Sequence, residues 1–174
     1  YEQKFAQART IYTYMYTHPG KKLNFMGNEL GMFREWDETR ELDWDMLKYP
    51  MHDSFKLFFS EISKLYLDEM SLYDGEYNEQ NFTWVDCSAH INSVFAYVRG
   101  TGKEKILVVI NGNNIHHDNL KVFFDEEYEI EELINSDEFR FSGTGICNPK
   151  INSELSSFNN RYVTELKIAP LASG

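Results

Sequence analysis

The chain has 174 residues, 42% hydrophobic and 26% charged, so it is long enough to bury a real core and has the balance of a folded protein. Its net charge of −11 is spread over both halves, which leaves no basic footprint for phosphates. Nucleic acid and anionic membrane are therefore excluded as natural partners, and a neutral polyol suits the charge better.

Two cysteines, Cys87 and Cys147, stand far apart without metal-ligand spacing, which predicts two reduced thiols in a cytoplasmic protein. No apolar run reaches the ~18–20 residues of a membrane span, and no charged-then-apolar leader opens the chain. Aromatic residues make up 16%, and exposed rings among them would offer platforms for flat apolar faces such as those of sugars.

Residues 2–17 place Phe5, Ala8, Tyr12, Met15 and Tyr16 at spacings of three and four, the stripe of an amphipathic helix. The chain opens without Met inside that pattern, which implies a segment of a longer protein. His18-Pro19-Gly20 ends the helix, because proline cannot continue its ladder. Lys22-Leu-Asn-Phe-Met26 predicts a short strand stopped at Gly27, and a long connection, 27–50, carries Trp36 and Trp44. From 52 to 67, Phe55, Phe58, Phe59, Ile62, Leu65 and Tyr66 repeat the helical spacing, with Asp53 near the start. One strand cannot satisfy its own backbone groups, so residues 1–75 are expected to be the last piece of a larger α/β domain. A connection as long as 27–50 also favours a functional loop.

After Asp74-Gly75 the texture changes to short strand-like runs. These are Phe82–Asp86, Ser93–Arg99, Lys105–Asn111, Asn119–Asp125, Tyr128–Ile134 and Tyr162–Ile168, punctuated by Gly100-Thr-Gly102 and Asn111-Gly-Asn-Asn114. Ile106–Ile110 is apolar on both faces, as a central strand would be, and Tyr128–Ile134 is expected at an edge with one charged face. Such a series predicts an antiparallel sandwich over residues 76–174.

Glu29, Glu35, Asp37, Asp43 and Asp45 supply carboxylates of the kind a glycosidase pairs, yet five acids on one loop do not define a pair at a set separation. The plainer expectation is a solvated loop with some carboxylates bound to Arg34 and Arg40. Glu29 differs, because it lies just past the predicted strand, where barrel folds carry their active face. Trp36 and Trp44 either anchor the loop or stack on sugar; spacing alone leaves both open. His116 and His117 are adjacent, and neighbours in a strand point to opposite faces, so the pair does not easily chelate one ion and is expected at the surface or an edge. The turn-rich 135–145 stretch lacks the lysine and helix of a phosphate loop.

The run HPGKKLNFMGNE (18–29), followed by Arg34-Glu-Trp36 and Leu42-Asp-Trp44 with Met46-Leu47, resembles the end of the catalytic barrel of 1,4-α-glucan (glycogen) branching enzymes, within the α-amylase superfamily. Downstream, NFTWVD (81–86), NSVFAYVR (92–99), ELINSDEFRFSGTG (132–145) and ELKIAPLAS (165–173) resemble that family's C-terminal β-domain. The resemblance implies an α+β segment: 1–75 as the last α/β unit of a TIM barrel, with helix, eighth strand, loop and helix, then 76–174 as an antiparallel β-sandwich. It also implies a parent that transfers an α-1,4-glucan chain to a 6-hydroxyl with retention, using no cofactor and no metal. The family's catalytic carboxylates have no matching residue here, so the segment alone is expected to be inactive. Asn28, Glu29, Arg34, Trp36, Asp43 and Trp44 are then expected to line the glucan channel, with Trp44 stacking on glucose. The implied partners are α-1,4-glucan or glycogen and the rest of the barrel, with self-association expected when that rest is absent. The alternative is a non-catalytic carbohydrate-binding or structural β-module.

Overall fold

A computed structural model describes residues 1–86, 93–157 and 159–174. Cys87, one of the two expected thiols, lies outside the described residues, as does Asn92 at the start of one family-like run. Three helices form the first part: α1 (Glu2–Thr17), α2 (Pro50–Asp68) and the short α3 (Met70–Tyr73). Proline at the start of α2 needs no hydrogen-bond partner and has its φ preset for a helix. The second part holds β1 (Phe82–Asp86), β2 (Val94–Arg99), β3 (Ile106–Asn111), β4 (His117–Phe124), β5 (Glu129–Ile130), β6 (Ile151–Asn152), β7 (Glu154–Leu155) and β8 (Tyr162–Ile168). They make antiparallel sheets in the orders β1-β2-β3 and β4-β8-β7, with β5 paired to β6.

The two larger sheets close over Ala96, Val109, Val122, Phe124, Leu166 and Ile168. The opposite face of the first sheet turns Tyr97, Val108 and Ile110 toward α1. Strand β3 is apolar on both faces because helices cover one side and the second sheet the other. The C-terminal tail lies along its far edge, where Asn111 N donates to Ala172 O at 2.8 Å and Val109 N to Gly174 O at 2.8 Å.

Helix α1 buries two different faces. Its apolar stripe meets α2, with Phe5 against Phe55 at 5.6 Å and Tyr12 against Phe59 at 4.9 Å between ring centroids. Its other buried face is polar: Arg9, Thr10, Thr13 and Thr17. Those side chains bond to the β part, where Arg9 Nε donates to Ser136 O and Thr10 Oγ1 to Leu171 O, both at 2.7 Å. Thr17 Oγ1 lies 2.6 Å from Tyr97 Oη. Burial pushes the Tyr97 phenol well above its ordinary range, so it stays neutral and free to hydrogen-bond.

Two expectations need correction, and two short strands were not expected at all. Residues 22–26 form no strand, because no neighbouring strand offers them a ladder among the described residues, and Leu23 stays 78% exposed. The edge strand expected over Tyr128–Ile134 shrinks to Glu129–Ile130. It breaks where the Glu132 carboxylate accepts from Asn135 Nδ2 at 2.7 Å and from Asn148 N at 2.9 Å. The two short strands β6 and β7 went unanticipated; they flank Ser153, whose buried hydroxyl accepts from Tyr128 N at 2.7 Å.

Candidate functional site

The loop after α1 is placed by two glycines with positive φ, Gly27 at 89° and Gly31 at 63°, flanking a 3-10 turn at Asn28–Leu30. A Cβ at Gly31 would come within 2.8 Å of the Phe5 ring, so only glycine lets the loop pass this close to α1. Leu30 is completely buried, and its carbonyl accepts from Nδ1 of the equally buried His52 at 2.8 Å. This anchor leaves Asn28 exposed and Glu29 half-buried. Glu29 Oε2 accepts from Asn24 Nδ2 at 3.3 Å. Asn28 and Glu29 stand near Tyr12, whose phenol is raised first by burial and then by the Glu29 charge.

Further along, Arg34 and Asp43 form a two-point fork: Nε to Oδ2 at 2.7 Å and Nη2 to Oδ1 at 2.9 Å. Nη2 also donates to Glu41 O at 2.8 Å, so one guanidinium closes the loop from 34 to 43. The fork holds the Asp43 carboxyl below the usual range and raises Arg34. Asp37 is lowered too, by the Thr39 hydroxyl and amide. A general acid needs the opposite shift, so neither carboxylate fits that role. Asp45 pairs with Lys48.

The indoles part company. Trp36 meets Phe25 edge-to-face at 5.4 Å, anchoring the loop to the exposed 23–26 stretch. Trp44 opens a 3-10 turn at Trp44–Lys48, is 52% exposed, and has no ring partner among the described residues. Of the six expected site residues, the structure joins Arg34 to Asp43 and places Asn28 beside Glu29. It ties Trp36 to Phe25 and leaves Trp44 to solvent. His52 and Tyr12 were not foreseen as supports, because only the folded packing of α1 and α2 brings them to the loop; Asn24, five residues before Glu29, was a local partner that went unremarked.

Elsewhere, the 135–145 stretch is a knot around Asp137, which accepts from Thr144 N at 2.9 Å, Thr144 Oγ1 at 2.6 Å and Ile146 N at 3.0 Å. His116 pairs with Asp118 at 2.9 Å, while His117 enters β4. No cluster of three or more metal-ligating side chains occurs among the described residues. No described helix is long and apolar enough to cross a membrane. Partial burial and the carboxylates of Glu132, Glu138 and Asp137 push the Cys147 thiol up to about 11.

Among known proteins, the family described as alpha amylase, C-terminal all-beta domain, matches residues 84–173. Proteins named 1,4-alpha-glucan branching enzyme GlgB are similar along nearly the whole chain. That of Halothermothrix orenii is 37% identical over 177 residues, 99% of this chain and 28% of its own length. That of Oceanobacillus iheyensis is 36% identical over 177 residues, 98% of this chain and 27% of its own length. The chain thus spans about a quarter of the length of the curated relatives it matches. Among solved structures, the trehalulose synthase MutB from Pseudomonas mesoacidophila has a TM-score of 0.59 at 17% identity, covering 97% of this chain and 37% of that one. A debranching enzyme from Nostoc punctiforme has a TM-score of 0.60 at 12% identity, covering 97% and 30%. At such identities the likeness is one of fold, and it extends over the helical part as well as the sheets. With the family match spanning more than half of its residues, the chain belongs to the alpha-amylase C-terminal all-beta domain family.

Proposed function

We propose that this chain is the C-terminal portion of a 1,4-α-glucan branching enzyme of the cytoplasm. One observation carries the reading: the identity to proteins of that name covers residues on both sides of Gly75, including the helical part that precedes the family match at 84–173. In this reading residues 1–75 close a (β/α)8 barrel, and the exposed Leu23, Phe25 and Met26 face barrel strands outside this chain. The chemistry, cleavage of an α-1,4 bond and transfer to a 6-hydroxyl, belongs to carboxylates that the chain does not carry. The loop supplies a wall. The Arg34–Asp43 fork fixes its course, Asn28 and Glu29 offer polar groups to sugar hydroxyls, and the Trp44 face stacks on a glucose ring.

The test joins this chain in frame to the barrel portion encoded before it and measures new α-1,6 linkages on linear α-1,4-glucan. Branch formation by the joined protein, and none by this chain alone, is expected. An upstream region without a barrel would overturn the reading. A second reading, a carbohydrate-binding β-module that acts without a barrel, is favoured by the unpartnered Trp44 ring. It predicts that this chain alone binds maltooligosaccharide, which the first reading does not require.

A further inference from the structure

In the 22–26 stretch the charge is buried and the apolar side chains are not. Leu23, Phe25 and Met26 lie exposed, while the side chain of Lys22 keeps only 11% of its surface. Its ammonium donates to His18 O at 2.7 Å and lies over the Tyr66 ring, 4.8 Å from the centroid. It also stands 2.8 Å from Oε1 of Glu76, whose side chain is equally buried. Glu76 follows Gly75, whose φ of 63° turns the chain out of α3 toward the β part. Arg99 of β2 reaches the same junction, donating to Thr17 O and Leu72 O. Burial pulls both the Lys22 ammonium and the Arg99 guanidinium below their ordinary ranges, and the Glu76 carboxylate opposes that fall for each. Two buried cations therefore share one carboxylate. Without it they would face each other uncompensated, the costliest state for a buried ionic group.

We propose that Glu76 is a positioning residue for glucan use, acting through Lys22 to pin the 22–26 stretch, and with it the loop, to the β part. The inference rests on the reading of that loop as a glucan wall. Residues 22–26 make no ladder among the described residues, so their course is set at the two ends. Lys22 holds the start, and the buried Leu30 holds the far end. Neighbouring barrel strands would fix the stretch sideways, whereas the Lys22–Glu76 contact fixes it relative to the sheets. Displacement at Lys22 reaches the loop by two short routes. Asn28 N donates to Phe25 O at 3.0 Å, and the Phe25 ring carries Trp36. A lysine suits the place because one ammonium serves the His18 carbonyl and the Glu76 carboxylate together.

The test uses Glu76→Gln, Lys22→Met and the double variant. In this chain alone, Glu76→Gln is expected to lower the melting temperature by several degrees and to speed amide exchange at Asn28 by about tenfold, the scale of one net hydrogen bond. Lys22→Met is expected to destabilise the wild type but to stabilise the Glu76→Gln protein, where it removes an unpaired cation. A double variant that folds where Glu76→Gln does not shows the same reversal. Loss of stability from Lys22→Met in both backgrounds, or unchanged exchange at Asn28 in Glu76→Gln, overturns the pin. In the barrel-joined protein, Glu76→Gln is expected to raise the KM for linear glucan about threefold with kcat held within about twofold, because a displaced wall weakens binding. A merely structural role lowers the amount of active enzyme, so a fall in kcat at unchanged KM overturns the positioning role. If the unmodified joined protein forms no branches, the family reading fails, and exchange at Asn28 in this chain still decides the pin.

Discussion

The hydroxyl of Ser173 donates to Thr13 Oγ1 at 2.8 Å, joining the C-terminal tail to the polar face of α1. Thr13 Oγ1 in turn donates to Arg9 O at 3.0 Å, and Arg9 Nε donates to Ser136 O, so the helical and β parts share a buried, hydrogen-bonded seam. Both parts should therefore unfold together. Thr13→Val leaves the Ser173 hydroxyl buried without an acceptor and is expected to cost about 1–3 kcal/mol. Urea unfolding followed by near-ultraviolet circular dichroism and by fluorescence checks this, and two separate transitions would contradict a shared seam.

Arg99 makes the complementary clamp. Fully buried, it donates to Thr17 O at the end of α1, to Leu72 O in α3 at 2.9 Å and to Asn81 O at 3.1 Å. A cation at helix C-termini is favoured by the exposed carbonyl dipoles there. Arg99→Met is expected to destabilise by about 3 kcal/mol or more, because several buried carbonyls lose their donors at once. Arg99→Lys rescues little, since an ammonium cannot reproduce the planar fork. Denaturation midpoints of the two variants test the difference.

Much of this was legible in sequence where a residue acts through periodicity. The α1 and α2 stripes, the turns at Gly20 and Gly100 and the doubly apolar β3 follow from spacing alone. The seam did not, because Arg9, Thr10 and Thr13 look like a solvent face until Ser136, Leu171 and Ser173 arrive from more than a hundred residues away. The 22–26 stretch has the composition of a strand, but strand pairing is a property of two segments and the described residues supply one. At the loop, the expected pairing of a carboxylate with Arg34 needed only local charge. The choice of Asp43 over its acidic neighbours needed the 3-10 turn that starts at Trp44.

The Arg34–Asp43 fork gives the loop a pH dependence with a definite sign. The folded-state pKa of Asp43 lies below its unfolded value near ~3.9, so the contribution is fully present above that value. It is lost as pH falls through the lowered folded pKa. Asp43→Asn should therefore loosen residues 34–43 at neutral pH and make no difference in strong acid. Amide exchange across 34–43, compared between the two proteins from pH 7 to pH 2, reports it. A gap that widens on acidification would reverse the sign and refute the fork as its cause.

The placement of Asn28 and Glu29 depends on the Leu30 anchor rather than on the loop itself. Leu30→Ala removes a side chain that is completely buried and is expected to cost about 2–5 kcal/mol. Gly31→Ala adds strain at a φ of 63° and a contact with Phe5, so it should destabilise although it is a smaller change. If either variant keeps wild-type stability and wild-type amide protection at 28–31, the glycine-flanked turn is not what holds the site.

The two indoles offer the sharpest test of a glucan wall, because they are matched in chemistry and differ in packing. Trp36 leans on Phe25, so Trp36→Ala should loosen the loop and lower stability even without ligand. Trp44 is half exposed with no ring partner among the described residues, so Trp44→Ala should leave stability within about 0.5 kcal/mol of wild type. In the barrel-joined protein the same change should raise the KM for linear glucan roughly two- to tenfold, the worth of one stacking contact of about 0.5–1.5 kcal/mol. Trp44→Phe, which keeps a smaller flat face, should recover part of that loss. A Trp44→Ala enzyme with unchanged KM and unchanged branch lengths would reduce the ring to an incidental surface residue, and would move any glucan contact to Asn28 and Glu29.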